Sequence, residues 1–175
     1  MADWRENVIK SLGDTVKNDS FWSAYLRSLS NGENSSFSVH LGVFIEPFLQ
    51  YILDGKKTME TRFSVVRCAP YKRVEEGDIL LLKKSGGAIV GLCQIRSAQF
   101  YRLEKDSWNE IKTFARDICA EDPGFWEQRK NASFASLMRI QNVKTIPAIT
   151  VNKRDRRGWV VVKEASKNLL FEEKL

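Results

Sequence analysis

Apolar and polar residues change their spacing several times along this chain, and each change predicts an element. Trp4, Val8, Ile9 and Leu12 recur at helical spacing, as do Phe21, Trp22, Tyr25, Leu26 and Leu29. Residues 3–30 therefore read as two short helices parted near Gly13-Asp14, with Asp19 or Ser20 capping the second and Asn31-Gly32 ending it. Two tryptophans and a phenylalanine are costly to leave in water, so this region is expected to pack on the rest of the chain. Residues 31–36 are polar and unpatterned, which reads as a linker.

The period then shortens. Strands are predicted over 38–45, 59–66, 79–84 and 88–99, with a helix over 48–53 whose first turn accommodates Pro47. Residues 68–73 look irregular because Pro70 interrupts any ladder. Gly77-Asp78 turns the chain into the third of these strands, and Ser85-Gly86-Gly87 closes a hairpin onto the fourth. From Asp106 the helical period returns: Ser107 is placed to cap, and Trp108, Ile111, Phe114, Ala115, Ile118 and Cys119 make one apolar face before a stop at Pro123-Gly124. A further helix is expected over 125–129, with an extension toward Met138 left open. Residues 143–151 read as a strand in which Pro147 suits an edge or bulge, and 158–163 as a compact apolar strand.

These elements predict an α+β domain over 37–163, with an N-terminal helical extension and linker over 1–36 and a tail or short helix over 164–175. At 175 residues and 43% hydrophobic, the chain suits one well-buried core with appendages. Three cysteines without a close pair and a single histidine, His40, offer little to a metal site or disulfide framework, so no cofactor is expected. There is no secretory leader and no run of 18 apolar residues, which predicts an intracellular protein, cytoplasmic or nuclear, without a membrane partner.

The net charge of +6 is unevenly spread. Between Arg139 and Lys163 seven Lys/Arg face one acid, densest at Lys153, Arg154, Arg156 and Arg157. Such a run is either a solvated loop or an anion contact. A second concentration follows the predicted helix 48–53: Gly55 ends it, and Lys56, Lys57, Thr58, Glu60 and Arg62 come within seven residues. Strand alternation puts Glu60 and Arg62 on one face, and Lys57 joins them only if it sits in the turn rather than the ladder. These residue types suit a nucleotide site, where cations bind phosphate, a carboxylate accepts from an exocyclic amine, and aromatics such as Phe63, Tyr71, Phe100 or Tyr101 offer stacking faces. A structural Glu60–Arg62 ion pair is the plainer reading.

With Glu46-Pro47-Phe48 upstream and Glu76-Gly77-Asp78 before Ile79-Leu80-Leu81-Leu82 downstream, the Gly-Lys-Lys-Thr-x-Glu-x-Arg segment resembles that of the ASCH (activating signal cointegrator homology) family, over roughly residues 38 to 163. The resemblance implies a PUA-like small mixed β-barrel of five to six strands with flanking helices, and a cleft beside this turn that binds single-stranded RNA or a modified nucleotide. Arg154, Arg156 and Arg157 would then flank the cleft. Some bacterial members hydrolyse N-acylated cytidine with a lysine, a threonine and a glutamate. The lysine matches Lys57, but the threonine position is Glu60 here, and Glu104, Glu110 or another acid stands open for the glutamate. Binding is thus the leading expectation. The alternatives are a small hydrolase acting on N-acylated nucleosides or RNA through Lys57 and Glu60, and an adaptor holding a protein partner through residues 1–30.

Overall fold

The computed structural model describes residues 3–166. The chain begins with helices α1 (Trp4–Val16), α2 (Ser20–Tyr25) and α3 (Arg27–Ser30). The expected break at Gly13-Asp14 is absent, because Gly13 serves packing rather than termination: a Cβ there would lie 2.8 Å from the Ser30 hydroxyl oxygen, so the glycine lets α1 approach α3. The break comes after Val16, and Asp19 caps α2 by accepting from the Trp22 N–H at 2.9 Å.

The rest follows as β1 (Val39–Phe44), α4 (Phe48–Leu53), β2 (Met59–Ser64), β3 (Ile79–Lys84), β4 (Ile89–Arg102), α5 (Lys105–Lys112), α6 (Ala115–Ile118), α7 (Pro123–Glu127), β5 (Phe134–Ile149) and β6 (Trp159–Lys163). The strands form one mixed six-stranded sheet in the order β2-β5-β4-β3-β1-β6, in which only β1 and β3 run parallel. It curls into a half-barrel, and Arg62 on edge strand β2 reaches the Val43 carbonyl on β1, at 3.0 Å, and the Gly158 carbonyl beside the other edge, at 3.3 Å.

Alternation sorts the sheet into two faces. Val39, Leu41, Ile79, Leu81, Val160 and Val162 pack against Val8, Leu12, Val16, Trp22, Leu26 and Leu29 of the N-terminal helices. Phe44, Leu80, Leu82, Cys93, Ile95 and Trp159 fill the interior of the half-barrel with Leu49 and Ile52 of α4. Burial on both faces explains the unbroken Ile-Leu-Leu-Leu run of β3.

The region after β4 departs most from expectation. One long helix is replaced by α5 and α6, and the chain leaves α6 through Cys119 in the left-handed region at φ 59°. Ser107 lies in the first turn, where its hydroxyl accepts from the Glu104 N–H at 2.7 Å. Pro123 starts α7 instead of stopping a helix, with Asp122 accepting from the Gly124 N–H. No helix extends toward Met138: β5 begins at Phe134, with Ala135 and Leu137 facing α6 and α7 and Met138 and Ile140 facing the barrel interior. Pro147 lies in the half of β5 beyond its pairing with β2, near an irregular register with β4. The predicted tail falls, beyond Ser166, outside the described residues.

Candidate functional site

Gly55, at φ 76°, ends α4, and the next two backbone N–H groups, of Lys56 and Lys57, both donate to the Tyr51 carbonyl at 2.9 Å. Lys57 thus sits in the turn and escapes the alternation of β2. Its ammonium is buried and donates to the carbonyls of Met59 at 2.9 Å and Ile118 at 3.0 Å, and pairs with Glu60 Oε2 at 3.4 Å. The other Glu60 oxygen accepts from Arg62 Nε at 2.7 Å. Lys57 and Glu60 are only 3% and 4% exposed, so this ion triad is largely out of water. Burial pushes the Lys57 ammonium pKa below the ordinary lysine value, and Glu60 offsets part of that push.

The Arg62 guanidinium lies 4.8 Å from the Phe44 ring centre and 5.3 Å from that of Trp159. Behind it, the Trp159 indole N–H donates to His40 Nδ1 at 3.2 Å, so the His40 proton sits on Nε2, which faces Asp78 Oδ2 at 2.9 Å. Asp78 also accepts from the backbone N–H groups of Ser38 and Glu75. A buried polar chain therefore runs from the Gly77-Asp78 turn to the wall of the site.

Glu60 and Arg62 open onto a cleft of about 400 Å³, walled by Phe48, Phe63 and Phe125 and closed at one side by Arg129. Arg129 is half-buried 3.6 Å from the centre of the Phe125 ring and donates to the Phe125 carbonyl at 2.7 Å. Desolvation lowers its pKa, and Glu60 acts in the opposite sense. The sequence reading missed Arg129 and Phe125 as site residues; their i, i+4 spacing at the two ends of the predicted helix 125–129 was the available signal.

Other predicted residues lie elsewhere. Lys56 is exposed, 5.8 Å from the Tyr51 ring centre, and Thr58 is exposed with its N–H on the Asp117 carbonyl. None of Lys153, Arg154, Arg156 and Arg157 lines the cleft. Lys153 folds back on the carbonyls of Asp155 and Arg157, and Asp155 pairs with both Lys153 and Arg157. Arg154 and Arg156 remain exposed, and the loop touches the site through Gly158 alone of this stretch. Of the four suggested aromatics only Phe63 reaches the cleft; Tyr71 and Phe100 pack together, and Tyr101 donates to Glu110 at 2.8 Å. Glu104 caps α5, so neither it nor Glu110 joins Lys57.

Among the described residues no group of His, Cys, Asp and Glu is placed to hold a metal ion, and no helix is long and apolar enough to cross a membrane. No protein-family model matches the sequence, and no curated protein does. Solved structures do match. The ASCH protein from Zymomonas mobilis superposes with a TM-score of 0.56 at 11% identity, covering 71% of this chain and 87% of that one. The chain has an ASCH-like fold. Two single-substitution mutants of the same Zymomonas mobilis protein agree, with TM-scores of 0.53 and 0.52 at 11% and 12% identity, covering 73% and 71% of this chain and 89% of theirs. In this ASCH-like frame the β2 turn, α4 and α7 surround the cleft at the open side of the half-barrel.

Proposed function

We propose that the protein is an ASCH-type nucleic-acid-binding module that takes single-stranded RNA or a modified nucleotide in the cleft beside the Gly55 turn. The supporting observation is the convergence of Arg62, Arg129 and Glu60 on a space walled by aromatic rings. Arg62 spends three of its five N–H donors on Glu60, Val43 and Gly158, which leaves two for a ligand. Glu60 has lone pairs beyond those used by Lys57 and Arg62 to accept from an exocyclic amine. Phe63 and Phe125 supply a wall for the base, and Arg129 a cation for its phosphate. Arg154 and Arg156, exposed on the loop before Gly158, add positive charge to the surface that a longer strand would meet.

Binding is favoured over hydrolysis by Lys57 itself. Its ammonium donates to two backbone carbonyls and pairs with Glu60, so its charge is directed into the protein rather than at an oxyanion, and Glu60 is held between two cations rather than poised as a base. The test is a titration of mixed-sequence single-stranded RNA, followed by anisotropy at several salt concentrations, with the RNA recovered and checked for cleavage. Intact RNA bound with a clear salt slope is expected. Absence of binding at low salt would overturn the reading, and cleaved RNA would return Lys57 and Glu60 to the hydrolase alternative.

A further inference from the structure

The cleft is not the only aromatic space on this side of the protein. A groove of about 580 Å³ lies between α5 and α7, with Trp108 and Trp126 in its walls and Lys105, Lys112 and Lys130 among its lining residues. We propose that this groove is a second base-stacking subsite for single-stranded RNA, which makes the ligand an oligonucleotide rather than a free nucleoside. This inference rests on the nucleic-acid reading of the cleft.

Continuity comes first. Phe63 lines the cleft and stacks on Trp108 with ring centres 5.5 Å apart and planes 4° from parallel, while Trp126 meets Phe63 edge-on at 6.4 Å. Helix α7 and the two residues after it separate the two spaces: Phe125, Gln128 and Arg129 face the cleft, and Pro123, Trp126 and Glu127 face the groove. Neighbouring nucleotides of one strand can therefore occupy the two spaces on either side of a shared aromatic partition.

The groove also has the chemistry of a stacking site. Both indoles are only half-buried although each is a large apolar surface. The Trp126 N–H is satisfied by the Ala120 carbonyl at 2.9 Å, which fixes the ring and leaves its face as the surface on offer. Lys105 and Lys112 lie on the Trp108 side of α5, seven residues and thus about 10 Å apart along the helix axis, so they bracket the ring. Neither forms an ion pair with any described residue. Glu127 is taken up by Lys130, which leaves Glu121 as the one unpaired acid among the groove's described lining residues. Aromatic faces bracketed by free ammonium groups match the alternation of bases and phosphates in a single strand.

The experiment compares a fluorescein-labelled mixed-sequence RNA octamer with cytidine monophosphate as competitor, on the full chain and on Lys112→Glu, Trp126→Leu and Arg129→Ala. Lys112→Glu changes an exposed helical position and guards against misfolding of the tryptophan variant. The expected result is that both groove variants lower the octamer-to-mononucleotide affinity ratio by about 5-fold or more, with octamer-dependent quenching of tryptophan fluorescence in the unsubstituted chain. A ratio unchanged in both groove variants, with octamer binding weakened by Arg129→Ala, overturns the groove and keeps the cleft. Binding of neither ligand, or binding indifferent to Arg129→Ala, removes the cleft reading and the groove with it. Groove variants that alter capture of a protein but not of the octamer would also overturn the inference.

Discussion

The sheet face under α1–α3 and the cleft beside the β2 turn are built on opposite principles. Against α1–α3 the sheet buries Val39, Leu41, Ile79 and Leu81 under aliphatic and aromatic side chains, and polar ties such as Tyr25 to the Gly77 carbonyl, at 2.6 Å, and Lys144 to Asp19, at 2.8 Å, sit at its margin. At the cleft, Lys57 and Glu60 are buried almost as completely, yet they are charged. Taking ions out of water costs several kcal/mol each by general estimates, roughly repaid only when geometry and hydrogen bonding are good. In other proteins, replacing a buried ion pair by apolar residues of similar volume is often neutral or stabilising. The triad instead keeps Arg62 and Glu60 on the cleft, so the contrast separates a face that secures the fold from a cleft that presents chemistry.

The largest effect comes from breaking the apolar face. Deleting residues 1–30 removes Val8, Leu12, Val16, Trp22, Leu26 and Leu29 from the shared core, a loss on the order of 10 kcal/mol from burial alone, comparable with the whole stability of an ordinary domain. The truncated chain is expected to show no cooperative urea transition by circular dichroism. A folded, RNA-competent truncation would show that the helices are an appendage and revive the adaptor reading.

Breaking the charged face comes next. Glu60→Ala leaves Lys57 buried without its counter-ion and is expected to cost about 3–5 kcal/mol in urea unfolding. Replacing both residues, Lys57→Met with Glu60→Met, is expected to cost less than that single change. A cost for Glu60→Ala below about 1 kcal/mol would place the triad among ordinary exposed pairs.

The same burial sets a pH signature. The Lys57 pKa is lower in the folded chain than the ordinary 10.5 of an unfolded one. As pH rises from the folded pKa toward 10.5, the unfolded chain therefore holds the extra proton, and this residue's contribution to stability increases with pH. The penalty is present in full below the folded pKa. The unfolding free energy of the natural chain should thus rise relative to that of Lys57→Met as pH climbs through the alkaline range; a difference that stays flat would mean an ammonium with its usual pKa.

The smallest effects sharpen the comparison within the charged face. Arg129→Ala is expected to weaken RNA binding and to reduce the salt slope by about 0.7, as for one lost phosphate contact on a single strand. Arg154→Ala or Arg156→Ala in the basic loop should weaken binding less, and equally for all sequences. A larger loss from these loop variants than from Arg129→Ala would move the binding surface from the cleft to the basic loop.

Local pattern was enough to read the elements whose signals are themselves local. Helix α4 and strand β3 fall at the expected residues because a glycine stop, a turn and an apolar run each act within a few positions. The pairing of Glu60 with Arg62 follows from strand alternation, and the half-barrel agrees with the resemblance carried by the Gly55 segment. The region from Asp106 to Met138 was misread because α5, α6 and α7 turn apolar residues toward one shared core, so the apolar spacing runs on through the breaks between them. Gly13 misled for a related reason: its role is the distance to Ser30, a partner seventeen positions away.

The sequence by itself determined the α+β class, the boundaries of its most regular elements and the residue types of the β2 turn, since these depend on spacing, caps and side-chain chemistry along the chain. Only the tertiary structure decided that Lys57 spends its donors inward, that Arg129 and Phe125 complete the cleft, and that the basic loop meets the site at Gly158 alone of that stretch. Those outcomes depend on which carbonyls and rings the curled sheet brings within a few ångströms of one another, and no spacing along the chain encodes that proximity.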